Sequence, residues 1–555
     1  MASLSEPFPS IPHFKSEPKV NALPTAERYP LTAVPGLTRL FLDYCAGTPA
    51  LRPFYGGQGI HSDWRQRPAL PAHWPDLISI LAAQNPAATG ALDAMRQGAG
   101  VVVTGQQVGL FGGPLFTPFK AATALARARQ ATSGGKPHVA IFWLASEDHD
   151  FAEIHEVTFP GRRELRTLAY AGAPSNAVPV GSVVLSQSIA PLLHEAAELL
   201  GDSDALDALA AAYQPGQNFA HAFAAFYAKA FAAQGLLIFD PGGREVHRLG
   251  APVLRAALER ADELHSALLQ RGQELQSAGY HAQVAVAGQS SLLFLLDAKT
   301  GARVALKRTP PSAAEPAGLW QAGREKYSTA DLLGILNSEP ERISPAALLR
   351  PLFQDFLLST SLTIGGPAEI AYFAQSAVLY ERILGRMTPA QPRFSATIVE
   401  PDVAELLRKH EVAFDRLLTL TEDALTQLLA ARDLPLDGKR RLADAGNALD
   451  AELTQLLAWM HAADAGLGRS ADTAASKMRY QMNRLRRLAA NFQLQKEDSL
   501  ARHSQTIFQA LHPQGSLQER AHGAAWYFAR HGFDLAELLV EQAGSESPGH
   551  TLLWP

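Results

Sequence analysis

A run of titratable side chains directly follows a strongly apolar segment, HVAIFWLA at residues 138–145. Four of them are consecutive: Glu147, Asp148, His149 and Asp150. Adjacent carboxylates repel one another, so such a cluster needs compensation from a cation, a histidine or N–H donors. Three kinds of chemistry fit it: binding of a substrate ammonium, a divalent metal held by His149 with Asp150 or His155, and acid–base catalysis by His149. A solvated loop that caps the next helix is the structural alternative. The letters HDFAEIHE do not reproduce HExxH, which argues against a catalytic zinc site.

A glycine-rich turn follows a second apolar segment, GVVVT at residues 100–104. Glycines leave backbone N–H groups unobstructed, and such a turn in front of a helix can hold an anion. The pattern matches neither GxxxxGK[ST] nor GxGxxG, so a tight crossover turn is equally compatible with the glycines alone. The tandem amides favour binding, because they donate and accept hydrogen bonds and have little reason to be there for packing. The candidate residues are Thr104, Gly105, Gln106, Gln107, Gly109, Gly112, Gly113 and Pro114. The prolines of this stretch predict an irregular first turn and a regular helix from about Pro118 to Gln130.

A second glycine-proline turn, TIGGPAEIAYFAQ at residues 363–375, also opens a predicted helix. Two such turns in one domain suggest two loops that line one pocket. The candidate residues here are Gly365, Gly366, Glu369, Tyr372 and Gln375, of which the last three share one helix face. Core packing is the alternative for Tyr372. Upstream, Arg350 could meet a phosphate or carboxylate, as could Lys307 and Arg308, for which a surface role is equally open.

The sequence around these motifs predicts an α/β domain. From about residue 97 to 395, β-branched or aromatic runs alternate with Ala- and Leu-rich stretches, as expected for parallel strands covered by helices on both faces. The predicted strands are residues 100–104, 138–145, 235–240, 281–287 and 291–297. In a doubly wound sheet, ligands bind outside the carboxyl ends of the strands. We therefore expect both glycine turns and the acidic cluster to face one crevice.

The remaining segments differ from this pattern in composition. The proline-rich first hundred residues predict a partly helical wrap, with helices at 35–45 and 74–85. Residues 303–351 carry many turn formers and predict an insertion with a flexible loop around Pro310. After about residue 400, apolar spacings near three and four predict an antiparallel coiled-coil hairpin that reverses at DAGLGRSAD, residues 464–472. The apolar residues that recur on one face are Leu442, Leu449, Leu453, Leu456 and Met460 in the first helix and Met478, Leu485, Leu488 and Phe492 in the second. The final HTLLWP could return to the core.

Composition limits the classes of function. The 555 residues contain one cysteine, Cys45, which excludes an intramolecular disulfide framework and a multi-cysteine zinc site and fits a reducing, cytoplasmic compartment. Cys45 lies at a predicted helix end, where a lone cysteine is usually a small buried hydrophobic residue. The net charge of −5 argues against a chain built mainly to coat nucleic acid. A basic stripe on the second coiled-coil helix keeps RNA as a minor alternative. Neither an export signal nor a membrane-spanning run is recognisable.

Five motifs in order resemble the BshC family, the cysteine-adding enzymes of bacillithiol biosynthesis. They are TGQQVGLFGGPLFTPFK, FWLASEDHDFAEIHEV, GYHAQV, RPLFQDFLL and IGGPAEIAYFAQ, and a coiled-coil hairpin follows them. The resemblance implies a Rossmann-like core, similar to class I aminoacyl-tRNA synthetases, with connecting-peptide insertions and a coiled coil that mediates homodimerisation. We predict a core at 1–395 with insertions at about 160–230 and 303–350, a coiled-coil domain at 396–510 and a C-terminal segment at 511–555.

The implied reaction joins the carboxyl of L-cysteine to the amine of glucosaminyl-malate, the last step of bacillithiol synthesis. On this hypothesis, Thr104–Gln107, Gly112–Pro114, the acidic tetrad and Gly365–Gln375 line the pocket. ATP activates the carboxyl group, Lys120 or Arg350 neutralises phosphate charge, and the tetrad holds an amine or a magnesium ion. His149 is the expected general base. The alternative from another class is a nucleotide-binding (ATP or ADP), homodimeric scaffold or regulator of thiol metabolism without ligase activity.

Overall fold

The computed structural model describes residues 25–161, 164–288, 290–309, 318–545 and 547–554. The strands of this part of the chain are β1 (Thr25–Tyr29), β2 (Gly100–Gln106), β3 (His138–Leu144), β4 (Glu156–Pro160), β5 (Leu165–Ala169), β6 (Leu237–Phe239), β7 (Ser290–Leu296), β8 (Arg303–Thr309), β9 (Leu319–Ala322), β10 (Glu325–Tyr327), β11 (Ile343–Pro345), β12 (Leu362–Gly365), β13 (Ala390–Pro392), β14 (Ser395–Ile398) and β15 (His550–Trp554).

The α-helices of the same ranges are α1 (Arg39–Cys45), α2 (Trp74–Gln84), α3 (Thr89–Arg96), α4 (Phe116–Ser133), α5 (Ile189–Leu200), α6 (Asp204–Ala212), α7 (Phe219–Ala230), α8 (Arg244–Glu259), α9 (Ala261–Ser277), α10 (Thr329–Ser338), α11 (Arg350–Leu358), α12 (Pro367–Ile383), α13 (Pro401–His410), α14 (Phe414–Leu417), α15 (Glu422–Asp433), α16 (Leu436–Ala463), α17 (Ala465–Lys496), α18 (Asp498–Leu511), α19 (Gln518–Ala521), α20 (Ala524–His531) and α21 (Leu535–Ala543). No helix among the described residues has the length and apolar character needed to cross a membrane.

The central sheet is parallel throughout, in the order β13-β12-β2-β3-β6. Its middle strands are apolar on both faces, as expected when helices cover both sides. Val102 and Phe142 pack into one core with α4 and α7, whereas Val101 and Val103 point into a second core with α8 and α12. The prediction of a Rossmann-like parallel core is confirmed. The runs at 100–104, 138–145 and 235–240 form β2, β3 and β6.

Two of the predicted strands do not join this sheet. The run at 291–297 forms β7, but in an antiparallel sheet of order β10-β9-β8-β7-β11. The run at 281–287 is not a strand. The Gln375 side chain bonds its backbone at Val284, where it accepts from the N–H (2.9 Å) and donates to the carbonyl (2.8 Å). The segment predicted as a loop-bearing insertion contains β8, β9, β10 and β11 together with helix α10. The expected loop around Pro310 lies outside the described residues.

The two ends of the described chain meet in a third sheet. β15 lies between β1, to which it is antiparallel, and β14, to which it is parallel. Leu552 and Leu553 of β15 are both buried. The apolar C-terminal segment is therefore integrated into the body of the protein.

The coiled-coil hairpin consists of α16 and α17, as ion pairs from Arg479 to Asp450 and from His461 to Asp472 show. Its reversal is shorter than predicted. Asp464 alone separates the helices, and its carboxylate accepts the N–H groups of Gly466 and Leu467. The prediction of which apolar residues of α17 face α16 was wrong. The inward-facing residues of α17 include Ala475 and Met482, while the four predicted ones are each more than half exposed: Met478, Leu485, Leu488 and Phe492.

Candidate functional site

The carboxyl ends of β2, β3 and β12 meet at one edge of the central sheet and border a cavity of about 430 Å³. This volume lies in the range of small-molecule sites. Gln107 after β2, Asp148 after β3 and Glu369 in α12 all line it. The Gln107 amide donates to Asp148 Oδ2 (2.7 Å) and to Glu153 Oε2 (2.8 Å). The convergence predicted from the strand ends is observed.

The predicted candidates divide into two groups. Those that line the cavity are Gly105, Gln106, Gln107, Lys120, Glu147, Asp148, His149, Arg350, Gly366, Glu369 and Tyr372. Those that lie outside its lining are Thr104, Gly109, Gly112, Gly113, Pro114, Asp150, Gly365 and Gln375. The chemical roles assigned to both groups remain predictions.

The first GGP turn packs against the protein interior instead of facing the cavity. The Gly109 and Gly112 carbonyls accept hydroxyl hydrogens from Tyr213 (3.0 Å) and Tyr227 (2.7 Å), and the Gly112 N–H donates to Tyr213 (3.2 Å). Gly112 has a φ of 86°, and a Cβ there would lie 2.8 Å from the Phe226 ring. These glycines therefore serve a left-handed turn and a close approach, which is the crossover-turn alternative.

The helix after this turn begins slightly earlier than expected. α4 starts at Phe116, so Pro118 is its third residue. The first four N–H groups of a helix have no partner within it, and proline costs nothing there in hydrogen bonding. Pro118 is thus compatible with a regular helix, and no irregular turn is needed after Phe116.

The other candidates outside the lining have structural contacts or are exposed. The Thr104 hydroxyl donates to the Ile364 carbonyl (3.1 Å) and links β2 to β12. Gly365 leaves room for Glu369, whose Cβ would lie 3.1 Å from a Cβ at that position. Gln375 holds the 281–288 segment, and Asp150 is exposed beyond the cavity.

Lys120 is a deeply buried cation of the cavity wall. Its ammonium donates to the Gly105 carbonyl (2.6 Å) and forms an ion pair with Glu369. Burial lowers the pKa of Lys120, although Glu369 acts in the opposite direction. Arg350 lies beside this pair, donates to the Tyr372 hydroxyl (2.9 Å) and approaches Glu369 Oε1 to 3.9 Å.

Arg303 was not among the predicted site residues. It begins β8 of the antiparallel sheet, lies over the Phe294 ring at 3.8 Å and donates to the Pro345 carbonyl (2.9 Å). A third contact joins its guanidinium to His149 Nδ1 at 3.2 Å. Arginine can only donate, so Nδ1 accepts and the proton of a neutral His149 sits on Nε2. In this arrangement His149 presents a donor, and general-base action requires Nδ1 to leave Arg303.

A second unpredicted residue, His247 of α8, lies directly behind the acidic cluster. It is completely buried, and its Nε2 is 2.8 Å from Glu147 Oε1, at ion-pair distance but without the alignment of a hydrogen bond. Glu147 also lies near Arg303. The sequence predicted that other groups must offset the repulsion among the crowded carboxylates. These groups lie on two elements that are distant in the chain.

The opposite wall carries further positive charge. Arg393 is buried and forms an ion pair of 2.5 Å with the buried Glu519, while Arg520 is exposed at the rim. In total, five cationic side chains and three carboxylates line the cavity. It suits a ligand that carries several negative groups together with an amine.

The remaining predicted chemistry concerns metals and Cys45. Among the residues that the structure describes, no three or more His, Cys, Asp or Glu side chains are grouped to hold a metal ion. Cys45 packs against the apolar core that contains α8 and α12, and burial raises the pKa of its thiol to about 12. A thiol in that state is a poor nucleophile at neutral pH.

Comparisons with known proteins agree over nearly the whole chain. Residues 25–394 match the model "Bacillithiol biosynthesis BshC, N-terminal Rossmann-like domain", and residues 396–554 match "Bacillithiol biosynthesis BshC, C-terminal coiled-coil domain". A protein of Koribacter versatilis named "Putative cysteine ligase BshC" is 40% identical over 541 residues, which are 94% of this chain and 98% of the relative. Proteins of the same name from Solibacter usitatus and Geobacillus kaustophilus are 33% and 29% identical, over 94% and 81% of this chain and 98% and 83% of their own.

Proposed function

The chain belongs to the BshC family of bacillithiol biosynthesis, and we propose that it is a ligase that joins L-cysteine to glucosaminyl-malate. The reaction forms an amide between the carboxyl carbon of cysteine and the amine of the sugar, as the last step of bacillithiol synthesis. The observation that carries the proposal is the cavity at the strand ends, where cationic and acidic side chains face each other across a space of about 430 Å³.

The charges of the cavity match the charges of these two substrates. Glucosaminyl-malate carries two carboxylates and an amine, and cysteine carries one carboxylate and an amine. Arg350, Arg393 and Arg520 can bind carboxylates, for which the planar guanidinium is well suited. Glu147 and Asp148 are the groups that can attract amines. This distribution supports an amine and several carboxylates as simultaneous ligands.

Activation of the cysteine carboxyl group is part of the same proposal. A carboxylate and an amine do not condense in water, so the carboxyl group must first acquire a leaving group, and ATP is the simplest source. Lys120 and Arg350 are the cations that would neutralise phosphate charge. His149 donates its Nε2–H in the described arrangement and becomes the base for the sugar amine once Arg303 releases Nδ1.

Homodimerisation through the coiled coil also belongs to the proposal. The four large apolar residues of α17 that were predicted to face inward are exposed, and Trp459 of α16 is 63% exposed. Large apolar side chains that are exposed on neighbouring helices are typical of interaction surfaces. A second copy of the chain would cover them.

The direct test is incubation of the purified protein with cysteine, glucosaminyl-malate and ATP, followed by mass spectrometry. The expected result is the thiol product together with ATP consumption. Product without ATP consumption would refute the ATP step alone. Binding of the substrates without any product would refute the ligase and favour a nucleotide-binding scaffold.

A further inference from the structure

The three carboxylates that line the cavity differ in how many of their oxygens are already occupied. Asp148 accepts from Gln107 on one oxygen and from the His149 N–H (2.7 Å) on the other. Glu369 accepts from the Gly366 N–H (2.8 Å), pairs with Lys120 and faces Arg350. Glu147 has only His247 at Oε1, and no described residue donates a hydrogen bond to Oε2. Glu147 is thus the one of these three carboxylates to which no described residue donates a hydrogen bond.

The buried partner of Glu147 is held in one orientation. His247 Nδ1 lies 3.0 Å from the Ile343 carbonyl oxygen, which can only accept, so Nδ1 carries a proton. The ring packs against Phe353 at 5.4 Å between centroids and has no exposed surface. Nε2 is therefore fixed toward Glu147 and faces no other described group at hydrogen-bond distance.

The charges around His247 favour its protonated form. Burial lowers the pKa of His247 and Glu147 raises it, with a net value above that of an ordinary histidine. Glu341 and Asp240, on two neighbouring elements, also interact with the ring, and Arg303 interacts with Glu147. Glu147 is thus a carboxylate of the cavity wall that has His247 and Arg303 as its cationic neighbours.

A carboxylate in this position suits only one of the two substrate amines of the proposed function. The amine that attacks must be uncharged when the amide bond forms, and a neighbouring carboxylate favours its protonated state instead. The cysteine amine does not react and can stay an ammonium throughout. Glu147 is therefore mismatched to the sugar amine and matched to the amino-acid amine.

We propose that Glu147 binds the α-ammonium group of the amino-acid substrate and that His247 is the positioning residue that holds its carboxylate. The assignment rests on the proposed ligase function and refines it. Recognition of this kind requires a free α-amino group on the acyl donor.

The test compares L-cysteine with 3-mercaptopropionate, which has the same thiol and carboxyl group but no amine. Isothermal titration measures the binding of both to the wild type and to the Glu147→Gln and His247→Gln variants. A charge-assisted hydrogen bond contributes roughly 1.5–3 kcal/mol, so the wild type should prefer L-cysteine by about 10-fold or more. Both variants should lose most of this preference. In turnover assays the KM for cysteine should rise while the KM for glucosaminyl-malate stays unchanged.

His550→Gln is the matched control, because His550 is equally buried but bonds Ser395 and Thr397 in the third sheet. It should keep the wild-type preference. An undiminished preference in Glu147→Gln, equal binding of the two ligands by the wild type, or no cysteine binding at all would overturn the assignment. Product formation by the wild type decides separately whether the ligase proposal survives.

Discussion

The substitution Gly112→Ala tests whether the first GGP turn is a structural element or a ligand-binding loop. Gly112 has a φ of 86°, and an added Cβ would lie 2.8 Å from the Phe226 ring, which is completely buried. A left-handed conformation costs an L-residue about 1–2 kcal/mol, and overpacking of a filled core costs about 1–3 kcal/mol. The free energy of unfolding should therefore fall by about 2–5 kcal/mol.

Gly135→Ala provides the matched control. Its φ of 76° imposes a similar backbone cost, but no atom lies within 4 Å of the added Cβ. It should lose only about 1–2 kcal/mol, so the difference between the variants isolates the contact with Phe226. Urea unfolding followed by tryptophan fluorescence measures both, and titration of the folded proteins with cysteine measures binding. Unchanged stability of Gly112→Ala combined with lost ligand binding would refute our interpretation of this turn.

Three further predictions concern buried charge and the exposed helix surface. Replacing Glu519 by Gln leaves Arg393 buried without its ion pair and should cost about 3–5 kcal/mol in urea unfolding; a loss below about 1 kcal/mol would contradict the account. The raised pKa of His247 stabilises the fold below pH 6.5, and this contribution is lost as pH rises through the folded-state pKa. The deficit in melting temperature of His247→Gln should thus be larger at pH 6 than at pH 9. His550, whose pKa burial lowers to about 4, is neutral in the folded state at both pH values and binds a proton at pH 6 only on unfolding. The deficit of His550→Gln should therefore be smaller at pH 6 than at pH 9, and the same pH trend in both variants would refute the imidazolium at His247. Leu485→Glu places a charge on the exposed apolar surface of α17 and should give monomers in light scattering, whereas Lys477→Glu should not; dimers in both would exclude this surface.

The sequence predicts the central sheet well because its strands are buried on both faces. Continuous apolar runs of this length, such as residues 100–104 and 138–145, are typical of buried strands. The polar residues that follow them mark the edge of the sheet that borders the cavity. The same reasoning failed at residues 281–287. That run has strand composition, but composition cannot tell that the backbone of Val284 at its centre bonds a side chain, Gln375. It also cannot tell which sheet β7 joins.

Glycine patterns were ambiguous for a related reason. The turns at Gly112–Pro114 and Gly365–Pro367 look alike as letters, yet only the second borders the cavity. The distinction depends on what packs against each turn. At Gly112 it is Phe226, Tyr213 and Tyr227, which are over one hundred residues away in sequence. No local signal in the chain identifies those neighbours.

The need for partners of the acidic cluster could be predicted from the sequence, but the identity of those partners could not. Repulsion among Glu147, Asp148 and Asp150 implied that compensating groups must exist, and the structure supplies them as His247 and Arg303. The positions of His247 and Arg303 in the chain could not be predicted. Each is a lone residue in an element that nothing in the sequence connects with the acidic cluster. His247 lies on the apolar side of α8, and Arg303 opens a strand of the antiparallel sheet. The surroundings of the Glu147 carboxylate thus depend on two elements that are remote from it in the chain. Charge at this edge is therefore a property of the assembled fold, which is why substitutions at His247 should change ligand binding although no ligand touches it.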